Sequence, residues 1–213
     1  MCKEQKQIKE ANHNYWGRRA VSYSQEIMRE RSTGAEERFG AVLQKCLPAS
    51  RRLCILDAGT GPGLFSLILA GMGHQVTAID FSKEMLQKAK ENAGTLASLI
   101  DFQQMDVQQL IFPSDTFDAV VSRDVTWNLQ NPAKAYCEWY RVLKQGGTLI
   151  NFDAGWYEYL FNERKALQFQ ERRRQVSLQG TTDLNAYEEA GQMEEISKQL
   201  YFSRHTRPES DIK

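Results

Sequence analysis

A glycine-rich turn carries the residues with the clearest potential for chemistry. Segment 57–63 reads Asp-Ala-Gly-Thr-Gly-Pro-Gly and lies between an apolar run at 51–57 and an apolar stretch at 64–72. Glycines let a backbone turn sharply and approach a ligand closely. The start of a following helix offers free N–H groups and the positive end of its dipole. The segment therefore predicts a ligand-binding turn between a strand and a helix.

The residues of this turn favour a zwitterionic ligand over a dinucleotide. The dinucleotide fingerprint needs a third glycine at position 64, where this chain has Leu64. The carboxylate of Asp57 repels a pyrophosphate but attracts an ammonium group. At about 4 Å and a surface-like dielectric, that attraction is worth up to ~4 kcal/mol before desolvation costs.

Acidic residues also end the next two predicted strands. Asp80 lies 21 positions after Gly59, where an acidic side chain can accept both hydroxyls of a ribose; an acid at the start of a helix is the alternative. Phe81 can lie against an adenine or belong to the core. Asp106 and the backbone of Val107 can bind an adenine edge, although aspartate at a strand end also serves turns.

The hydrophobic pattern predicts strands that alternate with helices. The predicted strands are 51–57, 75–80, 99–105, 117–122 and 148–153, and the helices between them are 64–72, 83–92 and 132–143. Residues 3–46 are predicted to be helical with breaks near Gly34 and Gly40, and further helices are expected at 156–179 and 184–201. The pattern predicts an α/β fold with a doubly wound, mainly parallel, Rossmann-like sheet, helices on both faces and a helical cap. Its ligand crevice lies at the carboxyl ends of the strands.

Five motifs occur in the order found in one family. DAGTGPG, AID at the second strand, MDV at the third, FDAVVSR at the fourth and RVLKQGGTL before the fifth resemble the class I S-adenosylmethionine-dependent methyltransferases, and more narrowly their type 11 small-molecule group. The resemblance covers residues 15–155. It implies a seven-stranded sheet in the order 3-2-1-4-5-7-6 with the last strand antiparallel. It also implies S-adenosyl-L-methionine as the cofactor and S-adenosyl-L-homocysteine as its product.

The resemblance implies a place for each part of the cofactor. It puts Asp57 and residues 59–63 at the methionine end, Asp80 at the ribose and Asp106 at the adenine. It also puts residues 122 and 123 under the cofactor and aromatic residues 15, 16 and 23 in a lid over it. An aromatic N-terminal helix packed on the core is the alternative to a lid. The predicted cofactor-binding set is Asp57, Gly59, Thr60, Gly61, Gly63, Asp80, Phe81, Asp106, Val107, Ser122, Arg123, Tyr15 and Tyr23.

The chain departs from the family pattern after the fifth strand. The family has two more strands there, but this sequence ends at Lys213. We therefore expect residues 1–155 to form the cofactor-binding domain with its N-terminal lid, and residues 156–213 to form a helical cap with the fold incomplete. The fifth strand, with Leu149, Ile150 and Phe152, then becomes an apolar edge. This predicts either a truncated form or a homodimer that covers the edge.

The composition argues against several classes of protein. The 213 residues balance 27 Lys and Arg against 27 Asp and Glu, so the chain has no bulk attraction to nucleic acid or to an anionic membrane. No segment predicts a signal peptide or a membrane span, and we expect a cytoplasmic protein. The cysteines and histidines lack metal-ligand spacing, so we expect no metal site. The arginines at 172–174 indicate a solvated helix face rather than an anion site.

These observations predict an enzyme that transfers a methyl group from the cofactor to a small-molecule acceptor by in-line displacement. His13, Tyr15, Asp124 and Asp153 are candidate bases for an acceptor that must lose a proton, although none lies in a motif that fixes its role. Four aromatic residues can line an acceptor pocket or pack the helical cap: Trp127, Trp156, Tyr157 and Tyr159.

Other functions leave different marks on the sequence. DNA amino-methyltransferases resemble one another in a Pro-Pro-Tyr type motif after the fourth strand, where this chain has Ser-Arg-Asp-Val at 122–125. Leu64 argues against a nicotinamide oxidoreductase. A module that binds the cofactor without catalysis, for regulation or assembly, stays open.

Overall fold

The computed structural model describes residues 3–48, 51–178 and 190–205. The chain divides into two compact units. The sheet unit comprises residues 16–125 and 131–152, and the helical unit comprises the described residues of 1–15, 126–130 and 153–213. The first helix contributes residues to both units.

The elements follow one another in the predicted alternation. The strands are β1 (Cys54–Ala58), β2 (Gln75–Asp80), β3 (Ile100–Gln104), β4 (Phe117–Arg123) and β5 (Leu143–Phe152). The α-helices are α1 (Lys3–Glu30), α2 (Glu36–Cys46), α3 (Leu64–Gly71), α4 (Lys83–Ala93), α5 (Pro132–Val142), α6 (Glu163–Leu178), α7 (Ala190–Ser197) and α8 (Tyr201–Arg204).

The sheet unit is built on five parallel strands in the order β3-β2-β1-β4-β5. The order reverses at β1, because β2 and β3 lie on one side of it and β4 and β5 on the other. This reversal is the switch point of a doubly wound fold, and it leaves a crevice at the carboxyl ends of β1 and β4. The predicted α/β fold class is confirmed.

Consecutive buried residues show that both faces of the sheet are covered. Residues 55–58 of β1 and 117–122 of β4 are all buried, as expected of parallel strands between two layers of helices. Residues 64–70 of α3 are buried as well. On one face three phenylalanines, Phe39, Phe65 and Phe152, meet edge to face with ring centroids 5.2–5.3 Å apart.

Local chemistry explains several element boundaries. The hydroxyl of Ser82 accepts the backbone N–H of Met85 and caps α4, as predicted. Asn131 caps α5 by accepting the N–H of Lys134, and Pro132 occupies the first turn. The predicted break at Gly34 is confirmed, since its φ is +95° within a kink between α1 and α2.

Several predicted boundaries were wrong. Gly40 does not break the chain but lies within α2, where an added Cβ would be 3.3 Å from Cε of Met72; the glycine permits close packing. Strand β5 begins at Leu143 rather than at 148, because Leu143 already pairs with Phe117 before a register shift. It ends at Phe152, one residue early.

Strand β5 forms one border of the sheet within the described ranges. It pairs there with β4 alone, and Leu149 is exposed. Whether a second copy of the chain covers this border stays a prediction. The molar mass measured by light scattering tests it, because a clean monomer with an uncovered β5 contradicts the dimer.

The helical unit is held together by aromatic contacts. Trp127 stacks on Tyr157 at 5.3 Å between ring centroids, and Tyr159 stacks on Phe169 of α6 at 3.9 Å. Helix α6 begins at 163, later than predicted, after a short 3₁₀ turn at Glu158–Leu160. Part of the helix predicted at 184–201 lies outside the described residues.

The charged face of α6 is exposed, including residues 172–174. None of the helices in the described ranges has both the length and the hydropathy that a bilayer crossing needs.

Candidate functional site

The glycine turn connects the carboxyl end of β1 to the start of α3. Gly59, Gly61 and Gly63 all have positive φ, at +78°, +53° and +97°. The backbone N–H groups of Gly59 and Thr60 both donate to the carbonyl of Ile79 in β2, at 2.9 and 2.8 Å. The turn is therefore fixed to the neighbouring strand by its own backbone.

Two of these glycines are required for different reasons. A Cβ on Gly59 would lie 2.4 Å from Cγ2 of Val125, so the loop after β4 leaves no room for a side chain there. A Cβ on Gly61 would meet only Cε1 of Tyr23, at 3.8 Å. Gly61 thus presents bare backbone toward open space beside an aromatic ring, which suits close approach by a ligand.

Asp57 lies beneath the turn with only 2% of its surface exposed. One carboxylate oxygen accepts hydrogen bonds from the hydroxyls of Thr60, at 2.7 Å, and Ser66, at 2.6 Å. Burial raises the pKa of Asp57, and the hydroxyl donors partly offset that effect. Thr60, predicted to contact a ligand, therefore points its hydroxyl at Asp57.

Asp80 ends β2 beside the turn and is 6% exposed. Its Oδ2 accepts the N–H of Gly61 and its Oδ1 accepts the N–H of Ser82, both at 2.9 Å. Burial raises the pKa of Asp80 to about 6, against the lowering effect of these backbone donors. The nearby Asp57 carboxylate raises this pKa further.

The two buried carboxylates lie at the same end of the sheet. Of the ion pairs found among the described residues, none includes Asp57 or Asp80. Strongly perturbed acids in a crevice mark candidate functional sites. The arrangement creates negative potential under a backbone turn, which suits a ligand that carries positive charge.

The residues predicted at an adenine follow the carboxyl ends of β2 and β3. Asp106 follows β3, and its Oδ1 accepts the backbone N–H of Gln108 at 2.8 Å. This bond gives Asp106 the turn role that the sequence left open, alongside the predicted ligand role. Val107 is buried and Phe81 is partly exposed.

The residues at the end of β4 have distinct partners. Ser122 is fully buried, and its hydroxyl donates to the carbonyl of Ala58 at 2.8 Å, which joins the ends of β4 and β1. Arg123 directs Nη2 to both carboxylate oxygens of Glu30, at 3.0 and 2.8 Å. Its guanidinium also lies over the ring of Phe39, 4.8 Å from the centroid.

Part of the predicted aromatic lid lies in the sheet unit. Tyr23 faces Gly61, and the ring of Trp16 meets it edge on at 5.3 Å between centroids. Burial raises the pKa of Tyr23, and the nearby Asp124 carboxylate raises it further. Tyr15 belongs to the helical unit and is fully buried.

The candidate bases are placed in different surroundings. Asp124 follows β4 with a φ of +54°, and its carboxylate pairs with Nε of Arg123 at 3.2 Å. Asp153 accepts bonds from the hydroxyl of Thr126 and from backbone N–H groups of Trp127 and Ala154, so it orders a turn. His13 lies partly buried in the helical unit.

Sequence reasoning missed three contributors to the site. Ser66, the third residue of α3, donates to Asp57; Asn92 of α4 donates to the carbonyl of Pro62 at 2.9 Å; and Val125 packs on Gly59. Only Ser66 left a signal, as a polar residue within an otherwise apolar helix.

Comparison with known proteins identifies the family of this sheet. A family model described as a methyltransferase domain matches residues 56–151. A phosphatidylethanolamine N-methyltransferase of Cereibacter sphaeroides is 38% identical over 98 residues, which are 45% of this chain and 48% of that protein. A malonyl-[acyl-carrier protein] O-methyltransferase of Erwinia pyrifoliae is 37% identical over 150 residues, or 70% of this chain and 53% of that protein.

A solved structure matches a larger share of the chain than these curated relatives do. A protein of Methanococcus maripaludis assigned to the S-adenosylmethionine-dependent methyltransferases superposes with a TM-score of 0.60 at 22% identity, and the match covers 84% of both chains. By contrast, this chain spans about half the length of the curated relatives named above.

Proposed function

Since residues 56–151 form a methyltransferase domain of the class I S-adenosylmethionine-dependent family, we propose that this chain transfers a methyl group from that cofactor to a small-molecule acceptor. The observation that carries the proposal is the pair of buried carboxylates, Asp57 and Asp80, beside the glycine turn, for which the described part of the chain provides no cation. A cationic cofactor supplies the missing positive charge.

The chain's own residues fit that cofactor better than a dinucleotide. The bare backbone at Gly61 is a cradle that any side chain would obstruct, and the potential around it is negative. A sulfonium with an ammonium group gains from that potential, whereas a pyrophosphate loses. The absence of a glycine at position 64 points the same way.

Each binding residue has a distinct role in the proposal. Asp80 accepts hydrogen bonds from the ribose hydroxyls, since each oxygen retains acceptor capacity beyond its backbone N–H partner. Asp57 is covered, so it acts through its charge on the methionine end rather than through direct contact. Asp106 and the backbone of Val107 bind the adenine, and Tyr23 shields the ligand near Gly61 from water.

Methyl transfer requires mainly that the acceptor atom, the methyl group and the sulfur are held in line. When bound, the cofactor supplies an electrophilic methyl group on a positively charged sulfur. The turn, Asp80 and Tyr23 hold the reacting centre in place and exclude water, which lowers the entropy cost of an in-line displacement. For an acceptor that must lose a proton, Asp124 is the candidate base within the sheet unit, at the carboxyl end of β4.

The relatives do not fix the acceptor atom. One of the two curated relatives is named for transfer to nitrogen and the other for transfer to oxygen. An acceptor panel therefore has to include nitrogen acceptors, such as amines, and oxygen acceptors, such as carboxylates and phenols.

The direct test is cofactor turnover. The full chain is mixed with S-adenosylmethionine and the acceptor panel, and S-adenosylhomocysteine release is followed by mass spectrometry. We expect turnover with at least one acceptor and none in Gly61→Val, whose side chain fills the cradle. Tight binding without turnover across the panel favours the non-catalytic module, and no binding of either nucleoside contradicts both functions.

A further inference from the structure

The second half of α1 lies along the glycine turn within the sheet unit. Tyr23 faces Gly61, as described above. One residue on, the hydroxyl of Ser24 accepts a bond from Nδ2 of Asn92 at 3.0 Å, and the same nitrogen donates to the carbonyl of Pro62. Helix α1 is thus placed against the turn at residues 23 and 24.

An ion pair fixes the end of the same helix. Glu30 lies seven residues after Tyr23, two helical turns along, so both side chains share one face of α1. Its carboxylate binds Nη2 of Arg123 at the carboxyl end of β4, with both oxygens within 3.0 Å. The Arg123 side chain is 19% exposed, so solvent screens this pair less than a surface pair.

The backbone gives α1 little support at that point. The helix is followed by a kink at Arg31–Ala35, where Thr33 leaves helical geometry and Gly34 has a φ of +95°. Because of this kink, α2 does not extend α1 as a rigid rod. Arg123 instead joins the elements through its side chain, since it binds Glu30 of α1 and lies over Phe39 of α2.

We propose that the Glu30–Arg123 ion pair is a positioning element that holds Tyr23 over the glycine turn and so prolongs the residence of the adenosyl ligand there. The consequence for the ligand rests on the proposed function; the positioning of Tyr23 does not. Neither residue contacts the reacting atoms in this scheme. Opening of the pair frees the end of α1 at the kink and lets the tyrosine move away from the turn.

The Ser24–Asn92 hydrogen bond is the other contact that could hold α1 against the glycine turn. It joins neutral groups, whereas the Glu30–Arg123 contact is charge-assisted, and charge-assisted bonds are roughly twice as strong. Loss of the ion pair is therefore expected to loosen α1 more than Ser24→Ala does.

The first experiment measures hydrogen exchange of the free protein at residues 16–30. Glu30→Gln should raise exchange in this segment while leaving β1 and β4 unchanged. The matched control is Glu36→Gln. It breaks the nearby Arg31–Glu36 ion pair, whose N–O distance is 2.6 Å, and leaves the contact between α1 and β4 intact. Equal exchange in the two variants, or a change in Glu30→Gln confined to residues outside 16–30, overturns the proposal.

The second experiment follows S-adenosylhomocysteine dissociation by stopped flow. Glu30→Gln should raise the dissociation rate about tenfold with little change in the association rate. The charge-swapped double variant, Glu30→Arg with Arg123→Glu, should release the nucleoside more slowly than Glu30→Arg alone or Arg123→Glu alone. An unchanged rate in Glu30→Gln, with wild-type binding intact, overturns the link to the ligand. If the wild type does not bind the nucleoside, the proposed function fails, and hydrogen exchange still decides the positioning of Tyr23.

Discussion

Buried aspartates at the two ends of the sheet differ in whether they are paired with cations. At the carboxyl ends, Asp57 and Asp80 form no ion pair with the residues that the structure describes, and burial raises the pKa of each. At the amino ends, Asp118 is 8% exposed but binds Arg51 in a bidentate pair, together with Lys144 and the N–H of Cys54. Arg51 above all lowers the pKa of Asp118 well below its usual range.

This contrast separates a stabilising site from the proposed binding site. Burying a charge is costly unless it is paired, and the amino end follows that rule. At the carboxyl end, two carboxylates are buried without that pairing, as expected where a ligand brings the compensating charge. The difference between the ends can be tested with matched variants.

The largest effect on stability is expected at the amino end. Asp118→Asn should lower the free energy of unfolding by about 2 kcal/mol, because it weakens several hydrogen bonds to a buried carboxylate; the exposure of Arg51 and Lys144 keeps the loss below that of a fully buried ion pair. Asp80→Asn should cost less, about 1 kcal/mol, because the removal of an unpaired buried charge offsets much of the loss of one backbone N–H bond to the carboxylate. Urea denaturation of both variants measures this, and a larger loss for Asp80→Asn would refute the contrast.

Among these variants with matched controls, the largest effect on binding is expected at Gly59. Gly59→Ala adds a Cβ that collides with Val125 and requires a left-handed backbone, so we expect about a 100-fold loss of S-adenosylhomocysteine affinity. Gly146→Ala is the matched control, because Gly146 also has a positive φ, at +75°, but open space around it near the start of β5. It should lose stability and keep its affinity in calorimetry; equal affinity losses would mean that general destabilisation explains both.

A smaller loss is expected when Asp80 becomes neutral. Hydrogen bonds to a charged group contribute about 1.5–3 kcal/mol, so Asp80→Asn should weaken S-adenosylhomocysteine binding by roughly 10- to 100-fold. Asp118→Asn, measured at a temperature where it is folded, should bind within about threefold of the wild type. The ribose role of Asp80 is wrong if calorimetry gives unchanged affinity.

The smallest effect is a dependence on pH. Below pH 6 the protonated Asp80 is a poorer acceptor for ribose hydroxyls, so affinity should fall about tenfold between pH 7.5 and pH 5. The Asp80→Asn variant should show a flatter profile. A wild-type affinity that is constant over this range contradicts an ionised Asp80 in the complex.

The raised pKa of Asp80 has the opposite effect on stability, which rises as the pH falls. The folded-state pKa of about 6 exceeds the unfolded value of about 3.9, so the folded protein binds the proton more tightly. The contribution of Asp80 to stability is therefore present below about pH 4 and is lost as pH rises to 6, by roughly 3 kcal/mol. Asp118 behaves in reverse, because its lowered pKa stabilises the fold above about pH 4.

The sequence predicted what depends on local pattern. The alternation of strands and helices, the glycine turn and the caps at Ser82 and Asn131 follow from neighbouring residues. The order of the five described strands matches the first five of the seven that the family resemblance implied. The role of Gly40 did not follow, because it depends on contact with Met72 of another helix.

The parts of the site that were not predicted depend on long-range contacts. Glu30 and Arg123 are 93 residues apart, and no local pattern indicates that they pair. Thr60 and Asp106 were assigned to a ligand from their positions, whereas their observed bonds also serve Asp57 and a turn. Spacing identifies which residues reach the crevice, but not how each divides its hydrogen bonds between protein and ligand.

A crystal structure of the chain grown with S-adenosylhomocysteine tests the central claim most directly. The account predicts ribose hydroxyls within hydrogen-bond distance of the Asp80 carboxylate and the amino-acid tail of the nucleoside against the backbone of Gly61. A nucleoside bound elsewhere, with Asp80 still held only by Gly61 and Ser82, would contradict it.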